Sequence, residues 1–322
     1  MSILGPTVTL AVTCYNADTT IDRALTSARK VAGNVIEILV YDDCSTDRSW
    51  IIIQNHEQID QRIRVIRSEK NVGVGAARAR LVAEAKGEFL LFLDDDDVSL
   101  THRAERQIAK ILEIEAQTNN TLVVCYTSGE KRYPNGYTKT QSAIASQSDA
   151  FGGVNLAAYL LYFERKSSLH YGSGTPTCSL AARVSTLRQV GSFDPKFRRL
   201  EDVDFAIKLG LADGLVCGIS DICFIRYVTS GADKTNKNIL VSKMQLADKH
   251  RSFLSAKGLY YYAKNWPRLR YYHLQKQYLP LLWTLLLLIA RYPNRAIKHF
   301  LTTAPKRLKH ERKIARGQRK SS

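Results

Sequence analysis

Cysteine is scarce in this chain, and acids are outnumbered. Six Cys in 322 residues exclude a small disulfide-stapled scaffold. None of Cys14, Cys44, Cys125, Cys178, Cys217 and Cys223 forms a C-x-x-C pair, which leaves a zinc ribbon or a thioredoxin-type centre without support. Most lie among apolar residues and read as small buried hydrophobes. Asp and Glu number 30 against 47 Lys and Arg, so the formal charge is +17. No G-x-x-x-x-G-K-S/T, H-E-x-x-H or G-x-S-x-G string occurs, so no P-loop, zincin or serine-hydrolase signature is present. No internal repeat is visible. The uncharged run over 278–290 has thirteen residues, short of the about 20 that cross a bilayer. Residues 1–6 carry no basic stretch ahead of an apolar one, and a reducing, cytoplasmic setting is the expectation.

What is there is an ordinary globular composition. Hydrophobic residues make up 45% and charged ones 24%, which excludes a wholly disordered chain and leaves one large domain or two smaller ones. The positive charge is uneven. Residues 291–322 hold eleven Lys or Arg and one acid, Glu311, for a local charge of +10. Just before them lies YLPLLWTLLLLIA, flanked by Arg268, Arg270, Lys276, Arg291, Arg295 and Lys298, with Trp266, Tyr271, Tyr272, Tyr278, Trp283 and Tyr292 nearby. Aromatic and basic residues bordering an apolar segment suit a protein lying on an anionic membrane through 268–322. A buried core helix is the competing reading of 278–290. Nucleic acid comes last, because no recognition motif accompanies the charge.

The first hundred residues alternate strand and helix patterns. Strands are predicted over 8–13, 35–41, 63–66 and 89–93, and helices over 19–32, 46–56, 75–86 and 101–116. This order implies a mostly parallel sheet flanked by helices. The polar stretch 128–148 reads as a long mobile loop. Helices dominate after about residue 232.

Two predicted strands end in acids, Asp42-Asp43-Cys44-Ser45-Thr46-Asp47 and Asp94-Asp95-Asp96-Asp97. In an open parallel sheet, ligands bind beyond the carboxyl ends of strands, so both clusters point at one crevice. Oxygen-rich clusters of this kind hold Mg²⁺ or Mn²⁺ shared with phosphates. An ordinary loop with Asp47 or Asp97 capping a helix is the bland alternative, and a mixture of the two is expected. Glu201-Asp202-Val203-Asp204 opens a predicted helix, where acids are favoured in any case; its functional reading is a general base. The loop Asn71-Val72-Gly73-Val74-Gly75-Ala76-Ala77-Arg78 departs from the dinucleotide fingerprint at its third glycine. It reads better as a phosphate-binding loop at a helix start.

The strings VTLAVTCYNADTTIDRALTSA, EILVYDDCSTDRS, KNVGVGAARAR and GEFLLFLDDDD resemble, in order and spacing, the N-terminal half of family 2 inverting glycosyltransferases with the GT-A fold. EDVD at 201–204, preceded by VGSFDPKF, extends the resemblance over 7–230. It implies a GT-A domain at 1–230, with a nucleotide-binding half at 1–100 and an acceptor half at 101–230; the residues it does not cover, 231–322, read from their own pattern as a helical extension. It also implies that Thr13 and Tyr15 line the nucleotide pocket, Asp43 accepts from the uracil N3–H, and Arg78 meets the diphosphate. Asp94 and Asp96 would hold Mn²⁺ or Mg²⁺, with Asp95 near the ribose or sugar. Asp202 would be the catalytic base with Glu201 beside it, and Arg226 or Lys234 would add positive charge. Glycine is common in the family where Cys44 stands. The activity implied is transfer from a UDP-sugar to a glycan or lipid-linked acceptor; the apolar and basic C-terminal segments add the expectation that it acts at the inner face of the cell membrane. The rivals are another nucleotide-dependent α/β enzyme and a non-catalytic membrane- or nucleic-acid-binding protein. The 128–148 and 169–180 stretches would shape the acceptor site, with His170, Gly172 and Gly174 as candidates there; for His170 a plain surface or packing role is the preferred reading.

Overall fold

The computed structural model describes residues 5–228 and 235–318, the side chains of 306–318 excepted. They fall into two compact units. The first takes in 1–132, 138–157 and 165–229, and the second takes in 133–137, 158–164 and 230–322.

The first unit is a mixed α/β sheet layered with helices. Strands β1 (Val8–Cys14), β2 (Val35–Asp42), β3 (Ile63–Arg67) and β4 (Phe89–Asp94) alternate with α1 (Ile21–Arg29), α2 (Ser49–Ile59) and α3 (Val74–Glu84). After β4 come a short β5 (Asp97–Ser99) and α4 (Arg103–Thr118). Then follow β6 (Val123–Arg132), β7 (Thr138–Gln141), β8 (Phe151–Gly152), α5 (Gly153–Tyr162), β9 (Leu180–Arg183), α6 (Val184–Gln189), α7 (Glu201–Leu211) and β10 (Leu215–Tyr227). The sheet runs β3-β2-β1-β4-β9-β6-β10-β5, with β7 on β6 and β8 on β10. Its first four strands are parallel, β9 lies antiparallel between β4 and β6, and β6 and β10 are again parallel.

The apolar runs account for this layering. β1 and β4 read VTLAVTC and FLLFLD and are buried along nearly their whole length, as strands covered on both faces must be. Leu10, Val12, Leu91 and Leu93 share one core with Ile21 and Leu25 of α1 and Ile108 and Ile111 of α4. The predicted strands and helices of the first hundred residues are all present, within a few residues. Of the two candidate caps, Asp47 is the one that acts at a helix start. Its Oδ1 accepts from the Ser49 N–H at 2.9 Å, and Ser49 is the first residue of α2.

The expected mobile loop over 128–148 is not what forms. β6 carries the chain to Arg132 and β7 returns antiparallel to it, with Gly129 opposite Gln141 and Arg132 opposite Thr138. Lys, Thr and Arg alternate there in place of an apolar face, so the hairpin has no hydrophobic period in the sequence. Beyond it, His170 Nε2 lies 2.7 Å from Ser142 Oγ, and the Ser173 N–H donates to the Ser142 carbonyl at 2.8 Å. His170 is therefore a packing residue that ties 142–148 to 169–173.

The second unit is helical: α8 (Asn236–Lys249), α9 (Arg251–Ala256), α10 (Tyr260–Leu274), α11 (Tyr278–Arg291) and α12 (Pro293–Gln318). Thr235 caps α8 by accepting from the Asn238 N–H. Its core gathers Leu254, Tyr262, Ala263, Leu288 and Ala296 with Ala158 and Tyr162.

Candidate functional site

β1 lies between β2 and β4, where the strand order reverses, and a crevice opens at such a point beyond the carboxyl ends. In register, Cys14 faces Asp42, and Thr13 faces Tyr41 on one side and Asp94 on the other. The TCYN, DDCSTD and DDDD strings therefore meet along one edge. The Tyr15 N–H donates to Asp95 Oδ2 at 3.0 Å, and the Tyr15 ring is left 47% exposed. Thr13 is half-buried at the end of β1.

Asp43 is buried and holds the glycine loop. Its Oδ1 accepts from the Val72 N–H and its Oδ2 from the Gly73 N–H, at 2.8 Å each. Gly73 adopts φ +87°, and a Cβ on Gly75 would lie 2.4 Å from the Phe197 carbonyl oxygen and 2.7 Å from that of Asp194. The glycines thus let the start of α3 press against the 194–197 segment. Cys44, with φ +63°, stands in the left-handed region where glycine is at ease.

Arg78, on α3, is the hub of the acidic edge. Its Nη2 donates to Asp94 Oδ1 at 2.7 Å and its Nη1 to Glu201 Oε1, so α3, β4 and the first residue of α7 are tied together. Burial opposes the Arg78 charge, but Asp94, Glu201 and Asp202 outweigh it and hold the guanidinium firmly protonated. Arg78 was expected at a diphosphate; here its guanidinium is engaged by protein carboxylates. Leu200, just before α7, has φ +65°, a costly conformation for a branched side chain at the very start of the acidic helix. Glu201 is buried, whereas Asp202 is half-buried and its Oδ1 accepts from the Val203 N–H at 2.8 Å. Burial pushes the Asp202 carboxyl above the usual aspartate range, against the pull of Arg78. Burial likewise raises Glu201 to about 7 and Asp95 to about 7, the latter opposed by the Tyr15 N–H and reinforced by Asp96 and Asp94.

The sequence pointed to Asp94 and Asp96 as metal ligands. Among the described residues, the ligand atoms that gather are those of Asp94, Asp97 and Cys178, all within 4.8 Å of one another. Asp97 is fully buried in β5, not a helix cap, and among the described residues neither of its carboxylate oxygens meets an N–H or O–H donor. Burial and then Asp94 push it up to about 8, while Arg226, its cross-strand partner on β10, pulls it back. A buried carboxylate that meets a thiol and a second acid but no N–H or O–H donor fits a cation. Asp96 is outside that trio; its backbone carbonyl accepts from Arg23 Nη2 at 2.9 Å. No local pattern links residue 178 to residue 97, and Cys178 read as an inert hydrophobe. The arrangement is made by α4: Gln107 Nε2 donates to the Cys125 and Ser179 carbonyls, and buried Arg103 to Gln107 Oε1 and the Leu180 carbonyl. Lys234 lies outside the described residues.

Comparison with known proteins bears on this edge. The sequence model described as glycosyl transferase family 2 matches residues 9–189. The glucosyltransferase WfaP of Escherichia coli, named for transfer from UDP-Glc to α-D-GlcNAc-diphosphoundecaprenol, is 27% identical over 71% of this chain and 80% of its own. The succinoglycan biosynthesis protein ExoO of Rhizobium meliloti is 36% identical over 33% of this chain and 30% of its own. This chain spans between 26% and 61% of the length of five of the curated relatives it matches. The crystal structure of Staphylococcus aureus TarS 1–349 with UDP-GlcNAc superposes with a TM-score of 0.55 at 21% identity, covering 74% of this chain and 65% of that one. The first unit thus has the fold of GT-A glycosyltransferases, down to the mostly parallel sheet flanked by helices.

Proposed function

The chain belongs to glycosyl transferase family 2, and on that premise we propose that it is a metal-dependent, inverting hexosyltransferase. It takes its sugar from a UDP-sugar and delivers it to a hydroxyl of a glycan or lipid-linked acceptor in the making of a surface polysaccharide. One observation carries the reading above the rest: Arg78 bridges Asp94 of the four-Asp strand end to Glu201, which brings the later acidic motif to the carboxyl edge of the sheet. A purely structural cap at α7 needs no such bridge. The bound UDP-GlcNAc of TarS and the lipid-diphosphate acceptor in the name of WfaP support the donor and acceptor classes.

Accessibility supports the division of roles. Asp202, half-buried and not the bridge to Arg78, takes the proton of the acceptor hydroxyl as the new bond forms, on the face away from the leaving group. Glu201 is a positioning residue, anchoring the first turn of α7 to Arg78. The exposed Tyr15 ring supports the base, and Asp43 retains lone pairs for a uracil N–H beside the two backbone bonds it accepts. Thr13 and Asp95 flank the same pocket. Arg226 offers positive charge to a diphosphate. A divalent ion, Mn²⁺ or Mg²⁺, would be held at Asp94, with Asp97 and Cys178 in reach and Asp96 alongside; when bound it neutralises the departing diphosphate.

The test is Asp202→Asn. UDP should still raise the melting temperature in the presence of Mn²⁺, and EDTA should cancel that rise. Transfer should fall by about 10²–10⁴-fold. Transfer at the wild-type rate would remove Asp202 from the mechanism, and an absent UDP effect in the wild type would remove the donor.

A further inference from the structure

The helical unit presents an apolar surface that its own core leaves uncovered. α11 reads YLPLLWTLLLLIAR and is apolar on every side, a pattern that ordinarily means full burial. Yet among the described residues only one side of it is enclosed. Leu288 is buried, and Leu281, Thr284, Leu285 and Ile289 are half-buried on the same side. On the other side Leu279 is 82%, Trp283 66% and Leu286 60% exposed, joined by Leu282 and Leu287. Positions 279, 282, 283, 286 and 290 follow helical spacing, so the exposed residues form one stripe. α12 repeats the device with exposed Ile297, Phe300 and Leu301. Large apolar side chains left exposed along two successive helices mark a docking face.

The charge around the stripe says what docks. No Asp or Glu occurs between Asp248 and Glu311, whereas the 62 residues between them contain thirteen Lys or Arg. Lys276 and Arg291 bracket α11, Lys298 lies within the α12 stripe, and all three are exposed. Tyr278 and Trp283, large amphipathic rings, are exposed beside them. A soluble protein partner gives no reason for an acid-free surround. A bilayer with anionic headgroups gives one, because leucines enter the acyl boundary while lysines and arginines meet the phosphates. Fourteen residues of α11 are too few to cross, and no described helix is long and apolar enough to do so.

We infer that the exposed stripes of α11 and the start of α12 form an in-plane docking face for an anionic phospholipid bilayer. The inference goes beyond the transferase reading and does not rest on it, since binding to vesicles is measured without nucleotide.

The test is co-sedimentation of the full chain with phosphatidylcholine vesicles made with and without phosphatidylglycerol. The wild type should partition onto the anionic vesicles and far less onto the neutral ones, and salt should weaken it. Leu282→Glu with Leu286→Glu should lower the partition coefficient by at least about tenfold at an unchanged melting temperature, as both leucines face solvent. Should that variant misfold, Lys276→Glu with Lys298→Glu should give the same direction of change on anionic vesicles alone. A wild type that stays in the supernatant overturns the inference, as does either folded variant binding like the wild type. So does a dimer that the leucine variant breaks apart without any vesicle binding, for the stripe then belongs to a second copy.

Discussion

Glu201 and Asp202 are adjacent in sequence and opposite in circumstance. Glu201 is buried against Arg78, and Asp202 is left partly open to solvent. A base must be deprotonated to act, so activity should be lost as the pH falls through the carboxyl's own pKa. Because burial raises Asp202, the acid limb of kcat/KM should lie above the ordinary aspartate range of about 3.9. A pH–rate profile that stays flat down to pH 4 would contradict both the role and the environment. Cys44 makes a second point at this scale. Its left-handed φ explains why glycine suits that turn, and a non-glycine residue there carries a cost of about 1–2 kcal/mol that the fold absorbs.

At the scale of elements, the glycine loop is more structural than its spacing implied. It read as a phosphate cradle, yet the Val72 and Gly73 N–H groups are taken by Asp43, and Gly75 is where the 194–197 segment crosses α3. Gly75→Ala would drive a methyl into two backbone carbonyls, which cannot yield as a flexible side chain would. Overpacking of this kind costs about 1–3 kcal/mol, so the melting temperature should drop by several degrees. An unchanged melting temperature would show that the segment moves aside freely. The β6–β7 hairpin carries the complementary lesson: strand pairing can be set by a neighbour already in the sheet, with no apolar alternation to announce it.

At the scale of the whole molecule, the acidic chemistry sits in the α/β unit, while the acid-free stretch sits in the helical unit. The helical unit also has its own pH response. His299 is stacked between Phe163 at 4.3 Å and Trp266 at 3.9 Å, with Nδ1 2.9 Å from the Tyr262 hydroxyl. Burial, and then Lys243 and Arg295, push its imidazole down from 6.5 to about 3. Below pH 6.5 the unfolded chain takes up a proton that the folded chain refuses, so stability is lost progressively from there down to about pH 3. At about 1.4 kcal/mol per pKa unit, the loss is on the order of several kcal/mol. Thermal melts across this window should fall more steeply for the wild type than for His299→Phe, which keeps the stack and cannot titrate. Parallel slopes would mean that the folded unit admits the proton.

The β-α order of the first hundred residues, the burial of β1 and β4, and the acids at strand ends were legible in the sequence, because they rest on local periodicity and on where a strand stops. Five of the six cysteines proved buried, as the apolar neighbours of most of them implied. Only the tertiary structure decided which distant residues meet. Arg78 with Glu201, Asp97 with Cys178, and Arg226 with Asp97 are brought together by sheet order and by helix packing across long loops, and no spacing encodes such meetings. The same holds for 278–290. Its composition announced an apolar helix, but whether one side or all sides would be covered depended on how much surface the surrounding helices had to offer.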